Sequence, residues 1–234
     1  MIDFLYNLTR LSIGGLLFML NPNVNSNVVF YIPHQDDEAL TFGVGIMNHV
    51  QGGHNVHVVL LTDGSASVVK TQLGMSDAEF IAARNREFKL SLAIMGVKPE
   101  NISMRSIKDG ALTVAEVETI AKEYEAKYPL AKHKAFSWTD SGSSDHVDSG
   151  QALKNLQSQG IVTDVRYYVR RGDNPVGLTL TTETLKDYYK PFLLAVSESY
   201  NIVNDRLGFY AIGHQSVPQS FVDFEAAPLS RYHK

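Results

Sequence analysis

The stretch that decides the fold runs from residue 27 to residue 40 and reads Asn-Val-Val-Phe-Tyr-Ile-Pro-His-Gln-Asp-Asp-Glu-Ala-Leu. Residues 28–32 form a continuous apolar run, which is typical of a strand that is buried on both faces of a parallel sheet. Pro33 ends that strand, because proline has no N–H to donate to a neighbouring strand. A histidine and three acidic residues therefore crowd into the turn at the carboxyl end of a strand, where open α/β sheets bind their ligands.

The acidic residues of this turn need a partner. Asp36, Asp37 and Glu38 repel one another, so solvent, a helix N-terminus or a cation has to offset their charge. A metal bound by His34 and one carboxylate is the most economical answer, since imidazole and carboxylate together suit Zn²⁺. A solvated turn with one capping aspartate is the alternative that this stretch leaves open.

Strand and helix patterns alternate from residue 27 onward. They predict strands at 28–32, 56–62, 102–104, 133–138 and 164–170, and helices at 38–51, 76–95, 113–128, 147–159 and 182–201. We expect Pro191 to kink or break the last of these helices. The order predicts an α/β fold, a single Rossmann-like domain with a mostly parallel sheet covered by helices on both faces.

Composition sets further bounds on the chain. Its 234 residues are 44% hydrophobic, enough for one α/β domain, which we place at 27–234 after an apolar appendage and linker at 1–26. The net charge of −4, with lysine and arginine dispersed, argues against a nucleic-acid partner. The chain has no cysteine, which excludes disulfides, thiolate metal sites and a cysteine nucleophile.

The N-terminal segment is ambiguous. Residues 11–20 are uncharged and follow Arg10, but a membrane-spanning helix needs about 20 apolar residues. The length suits a signal peptide, yet no small-x-small cleavage site follows. A packed helix, or one in contact with a membrane surface, fits as well. We expect the chain to stay in the cytoplasm, with export or membrane association as the alternative; nothing in the sequence indicates an oligomeric state.

A family resemblance rests on several motifs in register. Residues 33–38, Pro-His-Gln-Asp-Asp-Glu, closely resemble the Pro-His-Pro-Asp-Asp-Glu signature of the PIG-L/LmbE-like deacetylases, with Gln35 at a position that carries no metal contact in that family. The similarity continues through Thr62-Asp63-Gly64, Arg84-x-x-Glu87, Met95-Gly96-Val97, Asp109-Gly110-x-Leu112 and Asp145-His146. It covers roughly residues 28–160, and beyond that Lys190 and Tyr200 match only loosely.

The resemblance implies a role for each of these positions. It implies that His34, Asp37 and His146 bind Zn²⁺, that Asp36 is the general base, that Arg84 and Asp109 contact the substrate, and that Asp145 and Ser143 lie next to the ligands. For Arg84, an ordinary surface ion pair with Glu87 is the alternative. His49, His54, His57 and His133 are expected to be structural or exposed.

One departure from the family pattern matters for catalysis. The family's His-Pro-Asp-His has Ser143 and Ser144 in place of its first two residues. That histidine is implied to stabilise the tetrahedral intermediate or to protonate the amine, and serine replaces an imidazolium poorly in either role. His214, in a glycine-flanked segment, is the candidate to fill the gap from the C-terminal part of the chain.

The implied activity is zinc-dependent hydrolysis of the N-acyl, most simply N-acetyl, amide of an amino sugar or glycoconjugate. A non-catalytic sugar-binding relative that lost activity through Ser143 is an alternative. A receiver-like phospho-signalling domain is another, but its Mg²⁺ prefers oxygen ligands and has no use for His34. The rest of the substrate would be read by the loops at 64–76 and 170–182.

Overall fold

The computed structural model describes residues 26–234. Its strands, in chain order, are β1 (Asn27–Ile32), β2 (Asn55–Thr62), β3 (Ile102–Ile107), β4 (Lys132–Phe136), β5 (Asp164–Val169), β6 (Thr181–Glu183), β7 (Val203–Asn204), β8 (Phe209–Tyr210) and β9 (Ser230–His233). Seven of them form one sheet in the order β3-β2-β1-β4-β5-β9-β6, and β7 pairs with β8 separately. Strands β1 to β5 are parallel, whereas β9 runs antiparallel to both β5 and β6. The predicted α/β fold is confirmed.

Helices cover both faces of this sheet. They are α1 (Asp37–Leu40), α2 (Gly43–Gln51), α3 (Val69–Leu73), α4 (Asp77–Ile94), α5 (Val114–Lys127), α6 (Ser144–Ser158), α7 (Lys190–Ser199), α8 (Ile212–Ser216) and α9 (Pro218–Ala226). Side chains of α2, α4, α7 and α9 pack with one face of β1, and those of α5 and α6 pack with the other. Successive β1 residues such as Phe30 and Tyr31 therefore enter opposite halves of the core, as a doubly covered strand requires.

The strand order creates a crevice beside β1. From β1 the chain moves outward on one side through β2 to β3, and then crosses back to form β4 and β5 on the other side. The loops after β1 and β4 consequently leave the sheet in opposite directions, and a cleft opens between them at the carboxyl ends of the strands. Ligands of open α/β sheets bind at this point.

The helix predicted at 38–51 is divided in two. Helix α1 ends at Leu40, and α2 begins at Gly43. Between them Phe42 is fully buried, with its ring centroid 4.9 Å from that of Phe136 and 6.0 Å from that of Phe30. The predicted helix is interrupted where this ring packs into the core. Local helix propensity takes no account of such packing.

The prediction of a long helix at 182–201 is wrong for its first half. Thr181–Glu183 form strand β6 against β9, and α7 begins only at Lys190, with Pro191 in its first turn. Proline is tolerated there because the first helical N–H groups have no partner within the helix. The β-branched Thr181 and Thr182 join a sheet edge that exists only because β9 returns from the C-terminus.

The prediction that the chain stays in the cytoplasm is wrong as it stands. The segment 11–20 on which it depended lies outside the described residues, as does the predicted membrane-surface contact. Within residues 26–234, no helix is sufficiently long and apolar to cross a bilayer. These findings assign no compartment. The predicted boundary between an appendage at 1–26 and a domain at 27–234 stays a prediction.

Candidate metal centre and active site

A cleft of about 440 Å³ lies at the carboxyl ends of β1, β4 and β5. This volume falls in the range of small-molecule sites. Three residues that follow β1, His34 and Asp36 in its loop and Asp37 at the start of α1, line this cleft. Ser143 and His146, from the loop and helix after β4, line it as well. Residues of both loops assigned to substrate reading also line it, among them Ser67 and Val68 from 64–76, and Arg170 and Arg171 from the 170–182 loop.

The three predicted ligands converge on one point. His34 Nδ1 lies 3.2 Å from His146 Nε2 and 3.3 Å from Asp37 Oδ2, and His146 Nε2 lies 3.1 Å from the same carboxylate oxygen. Ligand atoms about 2.0–2.2 Å from a tetrahedral ion lie roughly 3.3–3.6 Å from one another. The triangle therefore has nearly the size that zinc requires, and two imidazoles with one carboxylate leave a position open for water or substrate.

Hydrogen bonds orient both imidazole rings. His34 Nε2 lies 3.0 Å from Asp145 Oδ2, and that carboxylate is itself held by the backbone N–H groups of Gly110 and Leu112. His146 Nδ1 lies 3.1 Å from Asp140 Oδ1, and its ring stacks on Phe136 at 3.8 Å between centroids. Carboxylates that accept a hydrogen bond from the remote ring nitrogen direct the other nitrogen toward a metal.

His34 also belongs to a second cluster of residues that could hold a metal. His34, Asp109 and Asp145 offer ligand atoms at metal-binding spacing. The Asp145 carboxylate, however, already accepts two backbone N–H groups, and Asp109 Oδ2 accepts the N–H of Ala66. In the cluster of His34, Asp37 and His146, two ring nitrogens and a carboxylate oxygen face one another, so this cluster fits a metal better.

Electrostatic shifts agree with a site built for a cation. Burial acts to raise the pKa of Asp37, but the neighbouring His146 and His34 outweigh it and hold that pKa well below its ordinary value. Burial acts to lower the pKa of His146, yet Asp37 and Asp140 raise it to about 9. In the protein alone, the two imidazoles thus carry the positive charge beside the Asp37 carboxylate that a bound metal would supply instead.

Asp36 has a different environment from Asp37. Its backbone lies in the positive-φ region at φ 108°, and its N–H donates to Glu38 Oε2 at 3.0 Å. This turn directs its carboxylate to Arg84 Nη2, 3.2 Å away. Burial, with the charge of Asp37, raises the pKa of Asp36 to about 6, although Arg84 opposes the shift. Adjacent aspartates therefore point to different partners, as the predicted division between base and ligand requires.

Arg84 is buried rather than part of a surface pair. Only 4% of the residue is exposed, and Glu87 is fully buried as well. Its guanidinium donates to the carbonyl oxygens of Gly64 and Gln35 in addition to Asp36. Glu87 instead accepts the N–H groups of Ile212 and Gly213 at the start of α8. The surface-pair alternative is excluded, and Arg84 borders the cleft while holding Asp36 in place.

The remaining predicted positions divide between the cleft and its surroundings. Asp109 lines the cleft with Oδ1 3.3 Å from His34 Nε2, and Ser143 lines it while its side chain caps α6 by accepting the N–H of Asp145.

His214 is not among the cleft residues, because its ring stacks on Phe221 at 5.5 Å. Ser216 and Val217 border the cleft from that segment instead. His49, His57 and His133 are buried elsewhere.

Sequence reasoning missed two contacts of the site. Asp140 and Arg170 form an ion pair beside His146, with Arg170 Nε 3.0 Å from Asp140 Oδ2. Tyr200 donates its hydroxyl to Glu38 Oε1 at 2.5 Å beneath the acidic turn. The only signal for the first was that Asp140 follows one predicted strand and Arg170 ends another; Tyr200 had shown a loose family match.

Comparisons with known proteins place this geometry in context. The structure is similar to a deacetylase of teicoplanin biosynthesis in complex with bog, at 15% identity and a TM-score of 0.67, over 89% of this chain and 97% of that one. It is similar to N,N'-diacetylchitobiose deacetylase from Pyrococcus horikoshii, at 17% identity and a TM-score of 0.60, over 94% and 85%. GalB, the 4-carboxy-2-hydroxymuconate hydratase from Pseudomonas putida KT2440, is also similar, at 14% identity and 0.60, over 89% and 94%.

Identities this low establish a shared fold and leave the chemistry open. A search of curated proteins found no match. The sequence model of the family described as PIG-L, GlcNAc-PI de-N-acetylase, matches residues 29–157, a range that contains the acidic turn and His146. Because this match spans more than half of the 234 residues, the chain belongs to the PIG-L family of de-N-acetylases.

Proposed function

We propose that the protein is a zinc-dependent hydrolase that removes an acyl group, in the first instance acetyl, from the nitrogen of an amino sugar or glycoconjugate. The observation that carries this proposal is the triangle of His34 Nδ1, His146 Nε2 and Asp37 Oδ2, with sides of 3.1–3.3 Å, at the base of a cleft. A related teicoplanin deacetylase has been solved in a zinc-inhibited form, which supports a family affinity for this metal.

The residues would divide the reaction between them. His34, Asp37 and His146 hold zinc, which supplies Lewis acidity when it is bound. Asp36 accepts the proton of the attacking water and then delivers it to the amide nitrogen as the C–N bond breaks. Two contacts orient Asp36: Arg84 donates to its carboxylate, and the Glu38 carboxylate accepts its backbone N–H. Asp109 and the loops at 64–76 and 170–182 contact the sugar and whatever it is attached to.

The alternatives differ in what they require of His34 and of the cleft. A receiver-like Mg²⁺ site would use oxygen ligands, whereas two ring nitrogens face the ligand point here. A non-catalytic sugar-binding relative would keep the same cleft and bind without turnover. Because a hydratase also has this fold, at 14% identity, release of a free amine has to be measured directly.

The deciding experiment measures metal and product together. The purified chain would be analysed for zinc by mass spectrometry and incubated with N-acetylglucosamine, N,N'-diacetylchitobiose and N-acetylglucosaminyl phosphatidylinositol. We expect about one zinc per chain, with equal amounts of acetate and free amine released from at least one substrate, and loss of release after chelation. Sugar binding without release would favour the non-catalytic alternative, and absence of zinc affinity would exclude the metal site.

A further inference from the structure

Arg170 lines the cleft next to the segment in which Ser143 replaces the family histidine. It directly follows β5, lines the same cleft as Ser143 and His146, and keeps 35% of its side chain exposed. Its guanidinium covers Gly142 so closely that a Cβ atom at that position would overlap Nη1 and Cζ. A permanent cation therefore lies against the residue immediately before Ser143.

Three hydrogen bonds fix the direction of this guanidinium. Arg170 Nε donates to Asp140 Oδ2 at 3.0 Å, and Nη2 donates to Ser141 Oγ at 3.1 Å and to Asp173 Oδ2 at 3.4 Å. The other oxygen of Asp140 contacts His146 Nδ1. Asp140 thus ties Arg170 to a predicted zinc ligand. Within residues 26–234, Arg170 Nη1 has no hydrogen-bond partner, so its two N–H groups remain free to meet a ligand in the cleft.

We propose that Arg170 is a further catalytic residue, which donates through Nη1 to the oxygen of the scissile amide, and that Asp140 is its positioning residue. This inference rests on the proposed function. As the water oxygen bonds to the amide carbon, the electron pair of the C=O bond moves onto the amide oxygen. Arg170 stabilises the negative charge that develops on this amide oxygen. Arginine does not release a proton at working pH, so the proton on the departing nitrogen comes from Asp36. Acid and amine then form from water and amide without another reactant.

The local charge favours this role over capture of an anionic substituent. Asp140 and Asp173 already neutralise Arg170, and four carboxylates line the same cleft against two further arginines, Arg84 and Arg171; the carboxylates are those of Asp36, Asp37, Asp109 and Asp223. A guanidinium paired in this way retains directional donors without creating a net positive surface. Such a group suits an oxygen whose charge develops only in the transition state, because the donors are preorganised for it.

The test compares Arg170→Met and Arg170→Lys with the exposed and remote control Arg206→Ala, on the acetylated substrate with the fastest release. We expect both Arg170 variants to keep zinc and KM near wild type while kcat falls about 10²–10³-fold, the usual cost of losing one oxyanion donor. A third variant, Arg170→Ala, leaves space for a free guanidinium ion, and millimolar guanidinium should restore part of its kcat. Asp140→Asn should lower kcat as well and, because Asp140 also contacts His146, weaken zinc binding.

A binding measurement keeps this inference separate from the proposed function. The N-methylphosphonyl analogue of glucosamine carries a tetrahedral anionic centre where the acetyl group stands, and its affinity can be measured by calorimetry. Arg170→Met should weaken this binding by a factor similar to the loss of kcat, and Arg206→Ala should leave it unchanged.

Each contrary result has a separate meaning. Unchanged kcat and unchanged analogue affinity in Arg170→Met would overturn the role of Arg170, even if the wild type releases acetate. A rise of KM confined to substrates with an anionic substituent, at constant kcat, would also overturn it and identify an anion subsite. If the wild type releases no acetate, the proposed function fails and the catalytic role of Arg170 fails with it; weaker analogue binding by Arg170→Met would then identify an anion-binding contact only.

Discussion

Neighbouring residues of the same type have different environments in this site. Asp36 and Asp37 adjoin in the chain, yet the positive φ of Asp36 turns its carboxylate to Arg84, while Asp37 faces two imidazoles. Positive φ is unusual for a residue other than glycine, and such backbone strain persists where surrounding contacts hold it, often at functional sites. Here the Glu38 carboxylate holds the Asp36 N–H.

Asp36→Asn is expected to separate the two aspartates in their function. The amide is nearly the same size, but it cannot accept the proton of water, so kcat should fall about 10²–10⁴-fold. Zinc content, measured by mass spectrometry, should remain near that of the wild type. Asp37→Asn is the matched control and should lose zinc. If Asp36→Asn loses its metal instead, Asp36 is a ligand and the proposed division is wrong.

Arg84→Lys tests whether Arg84 positions the base or binds the sugar. Lysine keeps the charge but lacks the planar fork that reaches Gly64, Gln35 and Asp36 together. We expect kcat to fall about 10–100-fold, as for other residues that orient a catalytic group, with little change in KM. Steady-state kinetics on the acetylated substrate measure both constants. A rise in KM at constant kcat would instead support the substrate contact implied by the family resemblance.

Among the elements, α6 places two groups of the site at its first turn. Ser143 caps the helix, Asp145 accepts from His34, and His146 enters the cleft. The helix can approach the end of β4 because Gly150 has no side chain there; a Cβ would overlap the Phe136 carbonyl oxygen and the Trp138 amide nitrogen. The position of His146 therefore depends on a glycine one turn further along the helix.

Gly150→Ala should displace α6 from β4 and thereby weaken the metal site. Overpacking of this kind costs typically about 1–3 kcal/mol, against a gain in helix propensity of about 1 kcal/mol. We expect a lower free energy of unfolding in urea and weaker zinc affinity by competition with a chelator. Ser158→Ala, exposed in the last turn of the same helix, is the control. Unchanged zinc affinity in Gly150→Ala would show that the helix adjusts without moving His146.

At the scale of the whole molecule, the sheet buries a charge that serves no part of the proposed site. Lys134 on β4 is fully buried, and its Nζ has no hydrogen-bond partner among the described residues. The nearest acidic atom, Asp164 Oδ1, is 3.7 Å away. Burial, opposed by Asp164, lowers the pKa of Lys134 to about 7. The fold therefore tolerates a costly group in its core.

Lys134→Met is expected to stabilise the protein, by roughly 1–4 kcal/mol near pH 7, as do other hydrophobic replacements of buried charges. The unfolded lysine has a pKa of about 10.4, so between pH 7 and that value the unfolded chain binds more protons and wild-type stability rises with pH. The advantage of the variant should therefore shrink from pH 7 to pH 9 in urea unfolding. Lys132→Met, on the same strand but partly exposed, is the control. An advantage independent of pH would show that Lys134 stays charged.

Residue patterns alone predicted the acidic turn, the mostly parallel sheet and a metal held by His34 with one carboxylate of that turn. These follow from local chemistry, because a buried apolar run, a proline and a capping box act within a few neighbours. The resemblance to the family motifs then implied Asp37 as that carboxylate and His146 as the distant ligand. The triangle of ligand atoms was therefore expected before its distances were known.

Only the tertiary structure decided which groups surround those ligands. Tyr200 meets Glu38 across 162 positions of the chain, and Arg170 reaches Asp140 across 30. His214 was expected in the cleft and stacks on Phe221 instead, and β6 forms where a helix was predicted. Such contacts depend on strand order, on register and on the rotation of each helix. Those features are set by packing over the whole core, so short windows of sequence do not contain them.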